Sequence, residues 1–116
     1  MANSPFKTQW LRDDTLLVNP GTMLDADNAP EMVELISNTA QEPNRFVILD
    51  MRELEFISSA GVGSILGTVE MLRQNGGDII LCNMSPTIEH VFRVLDLLEY
   101  LSVRSTRDEA LTACHS

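Results

Sequence analysis

Two largely apolar runs constrain this chain more than any other feature: FVILDM over 46–51 and DIILCN over 78–83. Neither alternates polar with apolar residues, so each reads as a strand buried on both faces, as in a parallel sheet covered by helices. Parallel neighbours need a crossover of about a dozen residues or more. Between the runs, Val62, Ile65, Leu66, Val69 and Leu72 recur at helical spacing. They predict a helix over about 60–74, closed by Gly76 and Gly77.

The rest of the chain extends this pattern. LLVN over 16–19 reads as a strand, with residues 8–11 as a possible antiparallel partner at one edge. Asn28, Pro30 and Glu31 have the form of a helix start, with Asn28 as the capping side chain. Met32, Leu35, Ile36 and Ala40 then mark one face of a helix over 29–41. Ser85 and Pro86 open a third helix, with Ile88, Val91, Phe92 and Leu95 on its inward stripe. Residues 100–103 read as a short last strand. The capping box from Thr106 to Glu109 predicts a brief helix after it. Strands alternating with helices give an α/β fold. We expect a mixed, mostly parallel sheet of four to five strands packed against about four α-helices.

At 116 residues the chain has room for a single domain over 1–116, with a core over 13–104 and a C-terminal helix and tail over 105–116. No run approaches the ~20 apolar residues of a membrane span, and the N-terminus lacks the apolar stretch of a signal peptide. The cytoplasm is the expected location. Net charge is -9, and acidic residues outnumber basic ones by 10 to 4 over 1–58 and by 7 to 4 over 59–116. Such a chain lacks the clustered cations that direct nucleic-acid binding needs. Its expected partners are proteins. Cys82 ends an apolar run and reads as a small buried hydrophobe, while Cys114 falls in the tail. Neither cysteine, with His90 or His115, has metal-ligand spacing, and no cofactor is expected.

The most informative stretch is FISSAGVGSIL over 56–66, where two serines and two glycines open the central helix. Gly61, Gly63 and Gly67 approximate a dinucleotide fingerprint. That motif must join strand to helix almost directly, with an acid about 20 residues on. Here residues 52–58 intervene, and 81–83 read Leu-Cys-Asn. A serine nucleophile would need a histidine base, but His90 sits between inward helix positions and His115 at the chain end. Asp50 ends a strand as a phosphorylated receiver aspartate would. The only lysine is Lys7, however, so Asp50 reads as a loop cap beside the serine turn. Asp25 and Asp27 fail the EF-hand pattern, because Ala29, Pro30 and Ile36 occupy positions that loop reserves for other residues; the two acids read as complements to a helix start.

The remaining reading makes Ser58 or Ser59 the helix cap. Ser59, Gly63 and Gly67 then recur at i, i+4 and i+8 on a face almost without side chains. Either another protein docks closely on that face, or the glycines pack against the chain's own loops. A phosphoserine at a helix start suits the helix dipole, so the fold should tolerate it. A partner pressed flush against the surface would not.

The run from Phe56 to Gly63, preceded by VILDM and followed by GGDIILCNMSPTIEHVFRVLDLLEYL, resembles the STAS domain of anti-sigma factor antagonists. The likeness runs from about residue 14 to the end, and GTMLD over 21–25 is similar to the family's Gly-x-Leu-Asp turn. The resemblance implies a non-enzymatic binding module, a monomer or weak dimer. Its unphosphorylated form would capture an anti-sigma factor, typically an ATP-dependent serine kinase, and so release a sigma factor. Phosphorylation by that kinase would end capture, and a PP2C-type phosphatase would restore it. Carried over by position, the acceptor is Ser59, with Ser58 standing where relatives carry Asp and serving as second candidate. Asp25, Ser58, Ser59, Gly61, Gly63 and Gly67 would form the partner-binding surface. The alternative is a non-catalytic STAS subunit or scaffold docked on a transport ATPase or signalling complex.

Overall fold

The structure, a computed structural model, describes residues 6–114; His115 lies outside them. Eleven elements follow in order: β1 (Lys7–Arg12), β2 (Thr15–Asn19), β3 (Met23–Leu24), α1 (Ala29–Thr39), β4 (Phe46–Asp50), β5 (Phe56–Ile57), α2 (Ser59–Gln74), β6 (Asp78–Cys82), α3 (Pro86–Val94), β7 (Ser102–Arg104) and α4 (Arg107–Ala113). The main sheet has five strands in the order β1-β2-β4-β6-β7. The pairs β2–β4, β4–β6 and β6–β7 are parallel, and β1 closes one edge antiparallel to β2. The fold is therefore the expected α/β sandwich of mixed sheet and four helices.

The sheet is covered unequally. Leu16, Val18, Val47, Leu49, Ile79 and Leu81 face one large cluster that also holds Met32 and Ile36 of α1, Ile65, Val69 and Leu72 of α2, and Ile88 and Phe92 of α3. The alternate residues Leu17, Ile48, Ile80 and Cys82 face a smaller cluster with Ala110 and Cys114 of the α4 end. Packing thus reaches beyond the expected core limits of 13–104, since β1 joins the sheet and α4 covers its back. Burial pushes the Cys82 thiol up to about 12 and the Cys114 thiol up to about 11, which makes both poor nucleophiles.

Three local expectations change. Asn28 makes no side-chain cap of α1. Its amide instead ties the preceding turn together, accepting from the Asp25 N–H at 2.8 Å and donating to the Met23 carbonyl at 2.7 Å. The inward stripe of α3 stops at Phe92, and Leu95 is 51% exposed. The chain leaves that helix through Asp96 at φ 60°, with Asp96 N–H donating to Arg93 O and Leu97 N–H to Phe92 O. This Schellman geometry returns Leu97 to the core in place of Leu95. The last strand is 102–104, leaving Tyr100 outside it and exposed.

Candidate functional site

Two two-residue strands, which the sequence did not announce, build the site. Met23 pairs with Phe56 and Leu24 with Ile57 in a short parallel ladder. Thr22 O accepts from the Glu55 N–H at 2.7 Å, and Leu24 O accepts from the Ser58 N–H at 3.0 Å. Alternation along each strand sends Leu24 and Ile57 into the core and leaves Met23 and Phe56 about half exposed, at 48% and 51%. Ile57 precedes the cap of α2 and Val62 follows it in the first turns; both lie in the same cluster, the positions of a hydrophobic staple.

Ser58 is the cap. Its Oγ accepts from the Gly61 N–H at 3.2 Å, and its carbonyl accepts from the Val62 N–H at 3.0 Å. That role is the one an Asp would fill equally well. Ser59 is the first residue of α2 and is exposed. Its hydroxyl makes no hydrogen bond among the described residues, in contrast to Ser64 and Thr68, which donate back to helix carbonyls.

The three glycines separate. Gly61 is buried, and a Cβ there would stand 2.6 Å from Leu24 O and 2.8 Å from Ile57 Cγ1. Although expected on the partner-binding surface with Gly63 and Gly67, it is buried, and its bareness lets the β3 turn lie against the helix. Gly63 and Gly67 are exposed, and a Cβ at either would meet nothing within 4 Å. They continue the line from Ser59.

Asp25 follows Leu24, so the Leu24–Ser58 hydrogen bond holds it beside the serine turn. Its Oδ1 accepts from the Asp27 N–H at 2.9 Å and the Asn28 N–H at 3.4 Å, shaping the turn into α1. Asp50 is a loop cap as expected, with Oδ1 accepting from the Arg52 N–H at 3.1 Å. It lies on the α4 side of the sheet, however, because it alternates with Leu49 on the α2 side. His90 is exposed on α3. Among the described residues, no group of His, Cys, Asp or Glu could hold a metal ion, and no helix is long and apolar enough to cross a membrane.

The surface thus combines one free hydroxyl, a side-chain-free line and two exposed apolar side chains. Sequence reasoning missed Met23 and Phe56. The available signal was the pair of apolar residues directly before the cap, of which only one can point inward.

The STAS domain family profile matches residues 11–110. BtrV of Bordetella bronchiseptica, described as a candidate anti-sigma factor antagonist, is 30% identical over 91 residues, 78% of each chain. The unphosphorylated anti-sigma factor antagonist SpoIIAA is similar in structure, with TM-score 0.80 and 27% identity over 93% of this chain and 94% of that one. The phosphorylated form of the Bacillus protein superimposes with TM-score 0.74 at 27% identity, covering 93% and 97%.

Proposed function

The chain belongs to the STAS domain family, in its anti-sigma factor antagonist type, and from that premise we propose that Ser59 is the switch of a partner-binding surface. The unphosphorylated protein captures an anti-sigma factor that is itself a serine kinase, and so frees a sigma factor. Transfer of phosphate to Ser59 Oγ ends the capture, and a PP2C-type phosphatase resets it. The observation that carries this reading is the exposed Ser59 hydroxyl, unbonded among the described residues, at the head of a bare helix face.

The physics favours a switch over a structural change. A phosphate at the first turn of a 16-residue helix meets the positive end of the dipole, so the fold keeps its stability. The same dianion, brought against a partner seated on Gly63 and Gly67, must be desolvated without a counter-charge. Met23 and Phe56 give that partner apolar contact area beside the hydroxyl, and Asp25 and Ser58 border it.

Capture from native lysate, with and without phosphatase treatment, tests the reading directly. The expected result is an ATP-binding kinase held only by the dephosphorylated protein. Incubation with that kinase and ATP should add one phosphate, placed on Ser59 by mass spectrometry. Phosphate on Ser58, or capture that survives full modification of Ser59, overturns the assignment.

A further inference from the structure

The sheet face opposite α2 is only partly covered. α4 packs on β4, β6 and β7, and the C-terminal ends of β2 and β4 border a cleft of about 240 Å³. Three of the chain's eight cationic side chains line it: Lys7, Arg52 and Arg107. Lys7 reaches the cleft because it stands opposite Asn19 in the β1–β2 ladder, and residues directly opposite share a face. Asp50 reaches it by alternation along β4.

Several of the other cations are engaged elsewhere. Arg73 pairs with Asp78, Arg93 with Glu89, and Arg45 stacks over Trp10. Lys7, Arg52 and Arg107 make no ion pair and no side-chain hydrogen bond among the described residues. On a chain of net charge -9, this is an unusual concentration of uncommitted positive charge.

Two carboxylates share the cleft. Glu53 accepts from Asn19 Nδ2 at 3.1 Å. Asp50 is only 6% exposed, and its Oδ1 accepts from both the Arg52 N–H at 3.1 Å and Asn83 Nδ2 at 3.0 Å. Its Oδ2 accepts nothing among the described residues. The cleft therefore offers cationic donors together with one unpartnered carboxylate oxygen of a largely buried residue. A fully deprotonated oxyanion such as sulfate would meet that oxygen as repulsion. Hydrogen phosphate brings its own proton, which it can donate while its other oxygens accept from the guanidinium groups.

We propose that this cleft binds hydrogen phosphate, with Lys7, Arg52 and Arg107 donating to its oxygens and Asp50 Oδ2 accepting a hydrogen bond from its hydroxyl. The site lies on the opposite face of the sheet from Ser59 and does not depend on the switch.

The test is a titration of the isotope-labelled full chain with sodium phosphate and with sodium sulfate, at matched ionic strength near neutral pH, read by amide chemical shifts. Phosphate should give saturable shifts around Asn19, Arg52 and Arg107, and sulfate should bind at least about tenfold more weakly. Arg52→Gln combined with Arg107→Gln should weaken phosphate binding about tenfold or more. Asp50→Asn keeps an acceptor for Arg52 and Asn83 but adds a donor, so it should bring sulfate up to phosphate. If that variant does not fold, the arginine pair decides alone. Absence of saturation, equal response to the two anions in the unmodified protein, or shifts that survive the double arginine variant would each overturn the site. None of these results bears on kinase capture, which is read separately.

Discussion

On the inner side of helix α2, Gly61 lies so near the Leu24 carbonyl that a single added carbon would collide at 2.6 Å. On the outer side, Gly63 and Gly67 face open space. One helix therefore uses the same residue type for opposite ends. The inner glycine is a condition of folding, because it admits the turn that carries Leu24 and Asp25. The outer ones weaken the helix by roughly 0.5–1 kcal/mol each relative to Ala, a cost the fold itself does not require. A destabilising residue that no internal contact explains points to something outside the chain.

The sharpest way to break this contrast is Gly61→Leu. Forcing a side chain between α2 and β3 should lower unfolding stability by about 3 kcal/mol, measured by denaturant titration. Next in size, Ser59→Asp should leave the melting temperature unchanged while weakening capture of the anti-sigma partner by about 2 kcal/mol or more, read by calorimetric titration. Equal losses in folding and binding would place Ser59 with Gly61 on the structural side. Phe56→Ser should reduce affinity by about 1–2 kcal/mol, with stability shifted by no more than about 0.5 kcal/mol. The smallest effect has the opposite sign: Gly63→Ala should raise stability by roughly 0.5–1 kcal/mol. Gly63→Leu should fold at least as well as the unmodified chain yet bind the partner poorly. A drop in melting temperature for Gly63→Ala would erase the distinction between the two sides.

How legible each part was depended on whether its cause was local. The runs 46–51 and 78–83 became β4 and β6 because continuous β-branched and aliphatic residues suit a strand buried on both faces. The end of α2 was readable because Gly76, at φ 85°, adopts the left-handed conformation without strain. The end of α3 uses the same geometry at Asp96, a residue that rarely signals it, and so Leu95 was expected inside. Asn28 has the side chain of a cap but finds nearer partners in Asp25 and Met23. The strands β3 and β5 are two residues each, too short for any periodicity, and each exists only because the other is there.

The sequence by itself determined the layered α/β architecture, the capped serine turn and the line of small residues from Ser59 to Gly67. These follow from short-range preferences: apolar periodicity, a hydroxyl that satisfies free helix N–H groups, and spacing along one helix. Only the tertiary structure decided that Gly61 faces inward while Gly63 and Gly67 face outward, that Met23 and Phe56 pair half exposed on the strands leading into the serine turn, and that Lys7, Arg52 and Arg107 line one cleft behind the sheet. Each of those depends on segments distant in the chain meeting through backbone hydrogen bonds, and no local pattern encodes which surface such a meeting leaves uncovered.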